Sequence, residues 1–362
     1  MLPPAAAAEG SFSQYPGFAK YFAEHPRRTE AATIEEKALL ERWRPRLWVG
    51  PGQQGPIGFY ADYIAHGRLY DAQGKLLSEA VNPEILNAHR SDPGVVFVHT
   101  PAPGPGTPLV FGRVDREPLL DLGEYRFLTY HFVFRHSGLA ARLHWWQSLG
   151  AVLGGDPEDW HQLDHYTAAT LALDPQARPV GLILQQHNGL RSYWLGEDIP
   201  LTADGRVRLC AALRSNELYP CGAERKRHRV VPFMSPDAIH YLVTGENAPW
   251  MSAEDVTEPA REIEYRLDYL PPADAFYSFA GYLGERRRLP GREGPPGADY
   301  YAEPELLSRS MQLIALHWHE NDTAQMRELL DFLASGSAAA YERLATRFRA
   351  QVTNSGLPLE PE

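Results

Sequence analysis

Residues 154–166 read Gly-Gly-Asp-Pro-Glu-Asp-Trp-His-Gln-Leu-Asp-His-Tyr, which sets Asp156, Glu158, Asp159 and Asp164 beside His161 and His165 in one short run. In extended backbone, alternate side chains project to opposite faces. Asp159, His161, Leu163 and His165 would then share one face, and Trp160, Gln162, Asp164 and Tyr166 the other. Asp159 with His161, or His161 with Asp164 across a turn, could reach one divalent ion. Imidazole mixed with carboxylate suits Mn, Zn or Fe, whereas carboxylate, carbonyl and water suit Ca or Mg. None of these spacings is a metal motif in itself, and the plain alternative is a polar strand edge and loop. Glu158 and Asp159 are adjacent, so a strand sends them to different faces, a poor start for an acid/base pair.

Two later segments add polar strand exits. Residues 180–186 are apolar and end in Gln185-Gln186-His187-Asn188, and residues 209–213 lead into Arg214-Ser215-Asn216-Glu217-Leu218-Tyr219-Pro220. The candidate ion ligands are therefore Asp159, His161, Asp164, His165 and His187, and Asp159 and His187 are expected to line one pocket. Trp145, Trp146, Trp160, Gln186, Ser215, Asn216 and Tyr219 are the candidate ligand-binding side chains. Paired tryptophans can stack on a sugar ring, although core packing is their commoner use. His317 and His319 stand two apart in a helical pattern and so point to opposite sides. There is no phosphate-binding loop, no dinucleotide fingerprint and no Gly-x-Ser-x-Gly elbow, so no nucleotide cofactor and no serine hydrolase of that type is expected.

The elements that must position these residues follow from local signals. Residues 1–30 are Ala/Pro-rich with scattered aromatics and read as an arm. Thr33-Ile34-Glu35-Glu36 is a capping box that starts a helix with Leu39, Leu40 and Trp43 on its apolar face, ended by Pro45. Short apolar or alternating runs follow at 95–99, 109–111, 127–135, 167–173, 180–186, 207–213 and 263–269, separated by turn residues. Residues 299–362 change to helical spacing, with Leu307, Met311, Ile314 and Trp318 as the first stripe. The expected fold is mainly β: an antiparallel β-sandwich over residues 31–285 with an N-terminal helix, a linker at 286–298, and a C-terminal helical appendage.

Composition narrows the function classes. Of 362 residues, 44% are hydrophobic and 22% charged, which is ordinary for a folded chain, and the formal net charge is −11. With basic residues scattered outside 225–229 and 286–288, no continuous basic face exists to displace counterions, so nucleic acid is not an expected partner. No run approaches the roughly 20 apolar residues of a membrane span, so no transmembrane segment is expected. The two cysteines, Cys210 and Cys221, either staple one hairpin or stay as buried thiols. The staple is the expectation, and it implies an oxidising compartment, the periplasm or outside the cell. The alanine run at residues 5–8 is what surrounds a signal-peptidase site. Oligomeric state leaves no mark in the sequence.

Several segments, taken in order, resemble a known group. Trp43-Arg44-Pro45-Arg46-Leu47-Trp48-Val49, Tyr130-His131-Phe132-Val133-Phe134, Asp159-Trp160, Gln186-His187, Ala212-Leu213, Ser215 and Tyr219-Pro220 resemble the β-sandwich group of vacuolar-sorting-associated-like and necrosis-inducing-like proteins, over about residues 43–222. In necrosis-inducing-like proteins the corresponding Asp and its polar neighbours hold a divalent cation used in recognising sugar-bearing lipid head groups. The resemblance thus implies a cation-dependent polar pocket. This chain departs from the group at His161, where an acidic residue usually follows Asp-Trp, and at Asn216, where His often follows the Ser. The leading expectation is an exported protein that binds a sugar or polar lipid head group, with one divalent cation. The alternatives are a metal-assisted hydrolase or lyase acting on a polysaccharide or ester, with His161, His165 or His187 as ligand or base, and a structural or interaction protein without metal.

Overall fold

The computed structural model describes residues 31–100, 106–118, 123–138, 162–165, 167–186, 189–196, 199, 201–213, 215–221, 261–284, 309, 331, 335–343 and 346. The expected arm at 1–30 and linker at 286–298 lie outside the described residues. In chain order the strands are β1 (Arg46–Val49), β2 (Gly67–Tyr70), β3 (Leu76–Ser78), β4 (Val96–His99), β5 (Leu109–Pro118), β6 (Glu124–Phe132), β7 (Ala168–Leu173), β8 (Pro179–Gln186), β9 (Gly189–Trp194), β10 (Arg208–Ala211), β11 (Leu218–Pro220), β12 (Arg261–Ile263) and β13 (Arg266–Asp268). The helices are α1 (Ile34–Trp43), α2 (Pro83–Ala88) and α3 (Ala275–Ser278).

Helix α1 begins where the capping box predicts. The Thr33 hydroxyl accepts from the Glu36 amide, and the Glu36 carboxylate accepts from the Thr33 amide at 2.8 Å. The same buried carboxylate accepts from Arg116 Nε at 3.1 Å, so the cap also fastens α1 to β5. Leu40 and Trp43 enter the core beneath it.

A four-stranded sheet, ordered β11-β10-β1-β12, faces a six-stranded sheet ordered β13-β5-β6-β7-β8-β9. Period-two alternation decides which residues meet between them. Val110, Leu128, Tyr130, Phe132, Leu171, Leu182 and Leu184 pack against Leu47, Val49, Leu209, Ala211, Leu218 and Ile263. The architecture is the expected mainly-β sandwich, though two pairings, β1 with β10 at the centre of the smaller sheet and β13 with β5 at the edge of the larger, are parallel.

The six-stranded sheet is buried on its other face as well, which explains why residues 180–184 read as a continuous apolar run rather than an alternating one. There Phe111 and Val133 join Phe59, Tyr63, Phe97, Phe276 and Phe279 in a second core shared with the small sheet β3-β2-β4. Arg309, which is helical and 4% exposed, comes within 3.9 Å of Asp115 on β5, and its amide donates to Glu117. Arg309 therefore lies against this face of the sheet. Cys210 and Cys221 form the expected disulfide, with Cα atoms 5.1 Å apart, and it pins edge strand β11 to β10. No helix among the described residues is long and apolar enough to cross a membrane.

Candidate functional site

At one end of the sandwich, the segments leaving β1, β6 and β10 meet the residues that enter β7. Beyond β6 the chain stays paired: Phe134 and Asp164 exchange amide–carbonyl bonds of 2.7 and 2.9 Å. This fixes Asp164 just ahead of β7, fully buried, where its carboxylate accepts from the Thr167 hydroxyl at 3.2 Å and from Asn216 Nδ2 at 3.1 Å.

Asn216 lies in the β10–β11 turn at φ 60°, one of two non-glycine residues among those described with positive φ. The left-handed region costs most side chains about 1–2 kcal/mol, and Asn tolerates it because its short amide can hydrogen-bond locally. The amide is engaged on every side: Nδ2 donates to Asp164 and, at 2.7 Å, to the His136 carbonyl, while Oδ1 accepts from Gln53 Nε2 at 3.2 Å. Gln53 is held in turn, donating to the Ala212 carbonyl at 2.8 Å and accepting from the Gly50 amide at 3.0 Å. One network, buried at Asp164 and half-buried at Gln53, thus ties the β1 exit, the β6 exit and the β10–β11 turn together across the two sheets. Above it opens a cleft of about 530 Å³ lined by Gln53, Gln54, Arg135, His136, Leu213 and Asn216, with Pro51, Gly52, Gly55 and Phe134 completing the wall. Gln54 is exposed there, and no hydrogen bond holds its amide among the described residues.

The expected alternation around Asp164 is present, and it separates two of the candidate ion ligands. Asp164 turns toward Thr167 and Asn216. His165 turns into the second core, stacked at 6.2 Å on Phe59 and edge-on to Phe276 at 6.1 Å, with Leu163 in the same core. Burial pushes the His165 pKa down to about 3, against the opposing pull of Asp164, so the ring is neutral at physiological pH. His131 on β6 is likewise buried, and desolvation, reinforced by Arg309 and Arg113, holds it well below the ordinary histidine value. Among the described residues no group of three His, Cys, Asp or Glu side chains converges as a metal site. Asp159, His161 and His187 lie outside the described residues, as do Trp145, Trp146 and Trp160. The described pair does not by itself fit an ion, because Asp164 is occupied by hydroxyl and amide donors and His165 faces aromatic rings.

The remaining candidates can be placed individually. Gln186 ends β8 opposite Gly189, and its side chain is outside the described set. Ser215 is buried in the turn beside Asn216. Tyr219, buried on β11 opposite Cys210, donates to the Glu217 carboxylate at 3.0 Å. Gln53, Gln54 and Thr167 were not singled out by sequence. The available signals were Gly52-Gln53-Gln54-Gly55, two amides between glycines just after a strand, and the Asp-x-x-Thr spacing of 164–167.

No protein-family model matches the chain, and no curated protein matches it. Among solved structures, NLPPya in complex with glucosamine is similar at 14% identity and a TM-score of 0.30, covering 62% of this chain and 88% of that one. A triply substituted NLPPya variant is similar at 14% identity and 0.29, over 61% and 84%. NLPPya in complex with mannosamine is similar at 16% identity and 0.27, over 60% and 86%.

Proposed function

We propose that this is an exported binding protein that recognises a sugar or the polar head group of a lipid in the cleft above Asn216. The observation that carries this reading is the rigid polar floor. Asn216 is kept in a left-handed conformation by Asp164, the His136 carbonyl and Gln53, at the base of an open cleft. Residues held in sparsely populated backbone regions concentrate where a ligand must be met by preset groups. The rim supplies what a hydroxyl-rich ligand needs: the Gln54 amide gives donors and an acceptor, and Arg135 and His136 add a guanidinium and an imidazole. Export is supported by the Cys210–Cys221 disulfide, which persists in an oxidising compartment. A divalent cation is a separate element of the proposal and rests on Asp159, His161 and His187.

The test is a binding screen of purified protein against neutral and amino sugars and against phospholipid and glycolipid head groups, each with and without chelator. Saturable binding of one class, weakened at least tenfold by Gln54→Ala with Arg135→Ala and at unchanged thermal stability, is the expected result. Binding lost only with chelator assigns a role to the cation. No binding under either condition overturns the reading.

A further inference from the structure

A second cleft, of about 630 Å³, opens where β12 passes into β13, and it shares no lining residue with the first. It lies around the start of β1, at Arg46, whereas Gly50 and Gln53 follow the other end of that strand. Four arginines line it, Arg44, Arg46, Arg206 and Arg266, against Glu262 and Glu264.

In a chain of formal charge −11 arginines outnumber carboxylates four to two on this lining, and the ion pairs around it leave donors over. Arg46 is 2.9 Å from Asp204 and 3.6 Å from Glu262, Arg206 is 3.6 Å from the same Asp204, and Arg44 donates to the Tyr265 carbonyl at 3.1 Å and lies 3.7 Å from Glu41. A guanidinium carries five N–H donors, and the contacts formed here leave several of them unused. Arg46 Nε is buried without a hydrogen-bond partner, and Arg266 is exposed with no ion pair among the described residues.

We propose that this cleft binds a phosphate or sulfate group. The planar guanidinium fork meets such oxyanions with paired, charge-assisted hydrogen bonds, and several forks around one volume let the anion displace water rather than a fixed carboxylate. Glu262 and Glu264 on the same rim disfavour a polyanion such as nucleic acid, because each additional charge would meet a carboxylate. They suit one compact anion, and the cleft has the size of a small-molecule site, with space for whatever bears that anion.

The experiment titrates inorganic phosphate, inorganic sulfate and glycerol 3-phosphate into the intact protein at low ionic strength, read by calorimetry. Saturable binding is expected, weakened about tenfold or more by Arg206→Gln with Arg266→Gln, and also by raised sodium chloride. Arg68→Gln on β2 and Gln54→Ala should leave it unchanged. Equal affinity for phosphate and its ester assigns the site to the free ion, and at least tenfold tighter binding of the ester assigns it to an esterified ligand. No saturable binding of any of the three, or identical binding by the double variant with an unchanged urea midpoint, overturns the proposal. Because the two clefts share no residue, the Arg206 and Arg266 substitutions here and the Gln54 and Arg135 substitutions in the sugar and lipid screen separate the two outcomes.

Discussion

Replacing Asn216 by alanine and, separately, by glycine divides the role of its side chain from that of its backbone. Alanine removes the bonds to Asp164, to the His136 carbonyl and from Gln53. A hydrogen bond to a charged group is worth roughly 1.5–3 kcal/mol, and each of the two neutral ones about 1 kcal/mol. Alanine must also hold φ 60°, which adds about 1 kcal/mol. Allowing for non-additivity among bonds that share one amide, Asn216→Ala should cost about 3–5 kcal/mol, a large fraction of typical domain stability. Asn216→Gly loses the same bonds but adopts the left-handed region freely, so it should be about 1 kcal/mol less damaging. Urea unfolding with an unchanged slope reads both values. A loss below about 1 kcal/mol in the alanine variant, or a glycine variant as damaging as alanine, would refute the argument that this network is a rigid floor held against backbone strain.

Acidity should act through the two buried imidazoles. His131 and His165 are neutral when folded because burial depresses them, while the unfolded chain protonates near pH 6.5. The unfolded state therefore binds more protons below that value. Their contribution is fully present above pH 6.5 and is lost as pH falls toward about 3 for His165, at about 1.4 kcal/mol per pH unit and histidine. Urea midpoints at pH 7 and pH 5 should differ accordingly, and His165→Phe should flatten the dependence; equal midpoints in the parent protein would contradict it. The disulfide closes a loop with a sequence separation of 11, so Cys210→Ser with Cys221→Ser should cost about 2–3 kcal/mol. Amide exchange should rise first at Tyr219 on edge strand β11, and an unchanged exchange pattern would show that β10 alone secures that edge.

The sequence determined most where the physics is local. The Thr33–Glu36 cap fixed the start of α1, because both hydrogen bonds close within one helical turn. Apolar runs bounded by turn residues located β5 through β8, since strand faces alternate whatever the partner, and the spacing of Cys210 and Cys221 suited one hairpin. The run around Asp164 was legible as a polar concentration, down to the opposite orientations of Asp164 and His165. What those side chains meet was decided by tertiary structure alone. Asn216 reaches Asp164 across 52 positions, and Gln53 reaches Asn216 across 163, because the packing of two sheets brings three strand exits to one end. No alternation within a segment encodes that meeting. For the same reason His165, indistinguishable in sequence from a ligand, sits among Phe59 and Phe276 as a neutral core ring, and the four arginines of the second cleft come from three separate segments, at 44–46, 206 and 266, that meet where β12 crosses into β13.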